Sequence, residues 1–260
     1  MKFALCYKSS PAGNTLWDKT CWFIAEFIGT AMLIFLGCMG CMESDLFPSN
    51  NLTRSLNFGL VVMIVIQCFG CCSGAHLNPA VSLAAFIYNL LSLPMTLAYM
   101  VAQILGAYCG YGLLKLFMPA NLIQVPGNNS GLCVTGVNSE IDVWQGLGIE
   151  FCITMALVFV CCGVWDPRNK HSQDSVALRF GFAVACLSIT AGPITGASMN
   201  PARSLGPAIW NNDFRNHWVY WVGPLTAALV ASTLYKIVFR REVKEVLENG
   251  SLKMNEVQCT

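Results

Sequence analysis

The chemistry of this chain gathers in two short stretches, Cys72-Ser73-Gly74-Ala75-His76-Leu77-Asn78-Pro79-Ala80 and Pro193-Ile194-Thr195-Gly196-Ala197-Ser198-Met199-Asn200-Pro201-Ala202. Each passes through a glycine and arrives at Asn-Pro-Ala. Asparagine is a good helix N-cap, and proline fits the first helical turn, where its missing N–H costs nothing. Each stretch therefore reads as an extended segment followed by a short helix, near Ala80–Asn89 and Ala202–Ala208. The extended parts offer a row of acceptors, the carbonyls of Gly74, Ala75 and His76 and of Gly196, Ala197 and Ser198. Asn78 and Asn200 can cap their helices and still present an amide donor. Each helix N-terminus adds roughly half a positive charge. Donors, acceptors and positive ends so arranged orient a small neutral solute and repel cations.

The elements around these stretches belong to a membrane. Of 260 residues, 55% are hydrophobic and 11% are charged, against about a quarter charged in a soluble domain. A membrane-crossing helix needs roughly 20 mostly apolar residues. Six stretches serve, about Thr20–Gly40, Asn57–Cys72, Leu91–Leu114, Trp144–Trp165, Val176–Gly192 and His217–Tyr235, the second and fifth being short. Charge enters them only at Glu26, Glu150 and Arg179. The two Asn-Pro-Ala helices are too short to span. Non-helical backbone at membrane depth survives only when buried or lining a watery cavity. The expected fold is an all-α membrane protein of six transmembrane helices and two re-entrant half-helices meeting at a pore.

The chain repeats itself. Glu26-Phe27 with Thr30 recurs as Glu150-Phe151 with Thr154, 124 residues on, and Asn78-Pro79-Ala80 recurs 122 residues on as Asn200-Pro201-Ala202. Tyr99, Ala102 and Gly106-Ala107 match Tyr220, Gly223 and Ala227-Ala228 at 121. Three spans per half is an odd number, so the second half enters the membrane inverted, and such repeats place a site at the midplane. One channel domain, 1–260, is expected, with repeats over about 18–118 and 142–240 and tails 1–17 and 241–260.

Basic residues favour the cytoplasmic side. With the N-terminus inside, Lys2, Lys8, Lys19, Arg168, Lys170, Arg179, Lys236, Arg240, Arg241, Lys244 and Lys253 are cytoplasmic, and only Arg54, Lys115 and Arg215 lie outside, Arg203 being kept for the pore. Both termini are then cytoplasmic in a multi-pass protein of the cell membrane. The sequons at Asn51 and Asn128 fall outside, where sugar can be added. The sequon at Asn249 stays inside and silent. Most of the 14 cysteines, Cys38 among them, sit in apolar spans and read as packing residues. No Cys/His cluster has zinc spacing, so neither metal nor cofactor is expected. The first helix directs insertion itself, since Met1–Ser10 lacks a long apolar core. A net charge of +1 offers nothing to nucleic acid. No nucleophile, base and cavity combine into an enzyme.

The charged and polar residues left over each allow two readings. Glu26 and Glu150 either relay protons or accept hydrogen bonds from the backbone of a re-entrant loop and brace it. Arg203 either meets lipid headgroups or, one residue into the second half-helix, faces the channel. His76 is a metal ligand or pH switch in one reading, and contributes only its carbonyl in the other.

Paired Asn-Pro-Ala motifs in an inverted six-span repeat resemble the major intrinsic protein (aquaporin) family over nearly the whole chain. The resemblance rests on Ala25-Glu26-Phe27, on Ser73-Gly74-Ala75-His76-Leu77-Asn78-Pro79-Ala80-Val81 and on Gly196-Ala197-Ser198-Met199-Asn200-Pro201-Ala202-Arg203-Ser204. It implies a homotetramer in a bilayer with one pore per subunit, loop-bracing glutamates and a four-residue selectivity filter. Spacing from the motifs carries that filter to Phe58, Ser188, Ala197 and Arg203. Strict water channels of the family hold a His where this chain has Ser188. The family's glycerol channels place an Asp where this chain has Ser204 and favour a Pro pair where it has Tyr220-Trp221. A water-channel background with a glycerol-type filter is similar to the insect glycerol-conducting aquaporins. The resemblance thus implies a passive channel for glycerol, urea and water that excludes ions and protons. A strict water channel and a junctional protein with little transport stay open beside it.

Overall fold

The computed structural model describes residues 15–43, 48–123 and 131–241, with the backbone of 244–246 and 252–254. Asn128 lies outside them. Among the described residues six helices are long and apolar enough to cross a membrane: α1 Leu16–Met39, α2 Asn51–Ser73, α4 Leu93–Phe117, α6 Val143–Trp165, α7 Val176–Thr195, and α9 Val219–Leu234 continued by a π-turn to Phe239. Two half-helices, α3 Pro79–Ile87 and α8 Pro201–Asn211, lie between spans, and a single turn, α5 Ala120–Ile123, follows α4. The architecture is all-helical and membrane-spanning, apart from a small antiparallel pair in the C-terminal tail, β1 Lys244–Val246 with β2 Leu252–Met254.

Local sequence sets the helix starts. Thr15 and Asp18 cap α1 reciprocally, Asn50 and Thr53 cap α2, and Asp142 and Gln145 cap α6. The cap on α2 corrects the short second span: the helix starts at Asn51 and runs 23 residues, because Asn51 and Arg54 dilute its hydropathy without ending it. The fifth span is likewise a full helix of 20 residues, continuing past Pro193 to Thr195. Proline cannot donate to the carbonyl four residues back. That carbonyl, on Ile189, accepts instead from Asn51 Nδ2 at 2.8 Å. The nitrogen a glycan would need on Asn51 is thereby engaged within the fold.

In the first half α1 packs on α4, in the second α6 packs on α9, and α2 against α7 joins the halves. Small residues let the backbones close, as membrane helices require. A Cβ on Gly106 would meet the carbonyl oxygen of Phe27, and one on Gly110 that of Ala31. Backbone cannot yield as a side chain can. Gly106→Val should therefore cost about 1–3 kcal/mol or more, read as a lower melting temperature and yield of purified protein. The outer faces carry exposed apolar side chains, such as Leu97, Val101, Leu105, Phe182 and Val230, which suit lipid.

Cys38 does not pack as a free thiol. It is joined to Cys133, 95 residues away, by a disulfide that ties the end of α1 to the segment before α6. The pairing escapes a reading of spans because Cys133 lies in a loop. The Arg168–Ser175 loop is also more than a solvated link. Arg168 forks onto the buried Asp166 at 2.8 and 2.6 Å and donates to the carbonyl of Phe239. Its guanidinium holds the Asp166 carboxyl below the usual carboxylate range.

Candidate functional site

The two re-entrant segments are near copies of each other. Backbone φ is positive at Gly74 (87°), Ala75 (46°) and Leu77 (56°), and again at Gly196 (80°), Ala197 (44°) and Met199 (53°). Left-handed backbone is free for glycine but costs about 1–3 kcal/mol at other residues, so the surroundings must impose it.

Glu26 and Glu150, both fully buried, sit at the centre of what imposes it. Glu26 accepts from Ser73 Oγ (2.6 Å), His76 N (2.9 Å), Leu77 N (2.7 Å) and Gln103 Nε2 (2.8 Å). Glu150 accepts from Thr195 Oγ1 (2.6 Å), Ser198 N (2.9 Å) and Met199 N (2.9 Å). Each carboxylate satisfies two loop N–H groups and one hydroxyl. Tyr99 and Tyr220 add matching bonds from their hydroxyls to the carbonyls of Ser73 and Thr195.

The Asn-Pro-Ala motifs meet at the centre. Asn78 Oδ1 accepts from Ala80 N, and Asn200 Oδ1 from Ala202 N and Arg203 N, so each asparagine caps its half-helix. Across the interface Asn78 Nδ2 donates to the carbonyl of Met199 and Asn200 Nδ2 to that of Leu77, both at 2.8 Å. Each amide has a second hydrogen, and both residues line the cavity. The outer ends of the half-helices are capped as symmetrically. Lys115 Nζ donates to the carbonyl of Trp210 (2.8 Å) and Lys236 Nζ to that of Ile87 (2.9 Å). Positive charge at the C-termini complements the dipoles, and the positive N-termini point at each other. Corresponding ends of the half-helices differ in length from expectation: α3 ends at Ile87, and α8 carries Pro207 and continues to Asn211.

One cavity of about 1250 Å³ passes this centre. Its walls include Glu43, Pro48 and Arg54 near the α1–α2 connection, and Trp165 at the end of α6 with Gln173 beyond it. All six residues expected to supply carbonyls, Gly74, Ala75, His76, Gly196, Ala197 and Ser198, line it. So do Phe58, Ser188, Ala197 and Arg203. The Arg203 guanidinium lies 4.7 Å from the centre of the Phe58 ring, and its Nη1 donates to the carbonyl of Cys133 at 2.7 Å. Ser188 and Ala197 bring small side chains to the same cavity. The His76 ring packs against Tyr99 and Trp165, with Nδ1 3.2 Å from Ser82 Oγ. Among the described residues no cluster of His, Cys, Asp or Glu is suited to a metal ion.

The roles of Ser73, Thr195, Gln103, Cys133 and the two lysines are not read from the sequence. The repeat itself holds the signal for most of them, since Ser73 and Thr195 lie 122 residues apart and Lys115 and Lys236 lie 121 apart.

A family model described as "Major intrinsic protein" matches residues 15–235. Mouse (Mus musculus) aquaporin-4 is 39% identical over 249 residues, covering 91% of this chain and 75% of that protein. The chicken (Gallus gallus) lens fiber major intrinsic protein is 34% identical, covering 90% and 87%. Among solved structures, the aquaglyceroporin from Plasmodium falciparum superposes with a TM-score of 0.73 at 28% identity, over 85% of this chain and 96% of that one.

Proposed function

The chain belongs to the major intrinsic protein family of passive membrane channels, and we propose that it conducts glycerol, urea and water while excluding ions and protons. The observation that carries the reading is that Phe58, Ser188, Ala197 and Arg203 all line the cavity, with the Arg203 guanidinium against the Phe58 ring and two of the four side chains small. A polyol has a hydroxylated side and a carbon side. Arg203 and Ser188 suit the first, and Phe58 the second. At the centre, Asn78 and Asn200 each retain an amide hydrogen for the solute's oxygen, and the half-helix N-termini keep cations away. The aquaporin case is a standing illustration of that exclusion by an arginine and half-helix dipoles. Glu26 and Glu150 act as braces in this reading.

Two features that set the chain apart from the family's glycerol channels weigh little, because they lie away from the cavity wall. Ser204 Oγ accepts from Thr135 and bonds Ser198, and the Tyr220 hydroxyl holds Thr195. The solved neighbour described as an aquaglyceroporin supports the same choice. The basic residues support cytoplasmic termini in the cell membrane, and the family supports a homotetramer with one pore per subunit.

Paired swelling of proteoliposomes in water and in isosmotic glycerol tests the proposal. Flow of both is expected. Flow of water alone would make this a strict water channel, and flow of neither would favour a junctional role. Arg203→Val should admit larger solutes and a measurable proton current with folding largely intact. A sizeable proton current through the unmodified protein under a pH gradient would overturn the ion-excluding reading.

A further inference from the structure

The Cys38–Cys133 disulfide, whose Cys133 carbonyl holds Arg203, and the thiol of Cys41 lie at one cavity, and we propose that they form a thiol–disulfide exchange site at the pore wall, in which the free thiol of Cys41 takes Cys38 from its bond with Cys133. The inference rests on reading this cavity as the permeation path. Cys38 lies in the last turn of α1, and Cys41 follows it by three residues. The N–H of Cys41 donates to the carbonyl of Cys38 at 3.0 Å, with Gly40 between them at φ −70°, ψ −3°. A turn closed in this way holds its first and fourth Cα atoms within about 7 Å, and bonded cysteines span about 4.4–6.8 Å. The backbone thus sets Cys41 and Cys38 at a Cα separation that a disulfide can span. Cys41 is half-buried, its Sγ rests 3.5 Å from the carbonyl of Gly37, and both Cys41 and Cys133 line the cavity.

The exchange balances without an added oxidant or reductant. Cys41 gives up its proton, its thiolate attacks Cys38 Sγ, the Cys38–Cys133 bond breaks, and Cys133 leaves as a thiolate that takes up a proton. One disulfide and one thiol stand before and after. Burial raises the Cys41 thiol, while the nearby Arg203 and Arg54 charges act in the other direction. The step is therefore slow in neutral solution and faster in mild base.

Release of Cys133 bears on the pore because the Cys133 carbonyl holds Arg203. Cys133 has φ 67°, a strained value for a residue with a side chain. Its neighbour Leu132 stays tied, through its N–H to the Ile123 carbonyl and its carbonyl to the Tyr111 hydroxyl. Freed from Cys38, Cys133 can relax to negative φ and turn its carbonyl from Arg203. The guanidinium then loses the acceptor that keeps it at the wall, and narrows the path.

The full-length protein in proteoliposomes is held at about pH 8.5, near the ordinary thiol pKa, then quenched in acid. Free thiols are alkylated and the disulfides are mapped after non-reducing digestion. Water swelling is measured on the same samples. The wild type should yield a Cys38–Cys41 link with alkylated Cys133, and water flow should fall about threefold or more as that form accumulates. C41S should keep Cys38–Cys133 alone, with a flow that the treatment does not move. An intact Cys38–Cys133 link with alkylated Cys41 in the treated wild type would overturn the proposal. An exchanged form that conducts like its parent would do the same. The wild-type map needs no variant to fold. Absence of water flow before any treatment would count instead against the permeation reading.

Discussion

Glu26→Gln and Glu150→Gln should each remove most of the folded protein from the membrane. Glu26 gathers four donors and Glu150 three, all within 2.6–2.9 Å. A glutamine offers one acceptor oxygen and turns an NH₂ group toward the remaining donors. On either half, that leaves at least one donor unsatisfied in a fully buried site, at about 1–3 kcal/mol each, and adds a donor facing a donor. The loss falls on loops whose Ala75, Leu77, Ala197 and Met199 already hold left-handed backbone. A channel of ordinary marginal stability has little margin for several kcal/mol. The check is surface protein measured beside permeability per molecule. The expected pattern is low surface protein with near-normal permeability for what survives. A variant expressed at the wild-type level that had lost a pH-dependent transport would overturn the bracing role and make these residues proton relays.

Much of this fold can be read from the chain because the membrane leaves few choices. Every buried backbone group must be satisfied within the protein, so apolar runs become spans, and an Asn-Pro-Ala at membrane depth must begin a helix. The inverted repeat then orders the parts, and the spacing of the motifs leads to four residues that all line one cavity. What escapes is of another kind. Hydropathy marks where a helix meets lipid, not where its backbone begins, so the expected span misses the first six residues of α2, Asn51 among them. The role of Asn51 depends on Pro193, 142 positions away, through the carbonyl of Ile189. Cys38 is buried in apolar company, as packing cysteines are, and only the fold of the 131–141 segment brings Cys133 to it. The lysine caps depend on where two half-helices end, and although Asn89 and Asn212 take the left-handed conformation just past those ends, the sequence does not show that Lys115 and Lys236, far along the chain, come back to them.

Ser188→His should suppress glycerol entry and spare water entry. Ser188 lines from α7 the cavity that Arg203 and Phe58 also line, so a longer side chain at 188 grows into the space a solute must use. A three-carbon polyol needs a wider opening than water and must set its carbons against an apolar surface. The imidazole would fill the space now left by a hydroxyl and add a polar arm, so the polyol's carbons would clash while a water molecule would find one more partner. A barrier raised by only about 1.4 kcal/mol already lowers flux tenfold, and a clash of one methylene-sized group can exceed that. Glycerol permeability should therefore fall by about tenfold or more, with water permeability within about twofold of the parent. Swelling of both proteins in isosmotic glycerol and in hypotonic buffer, normalised to surface protein, measures the two together. A wild type that admits water and no glycerol, or a histidine variant that admits glycerol as fast as its parent, would remove Ser188 from the account of selectivity. A histidine variant that lost water and glycerol alike would report a blocked or misfolded pore, and the surface protein measured beside it would tell which.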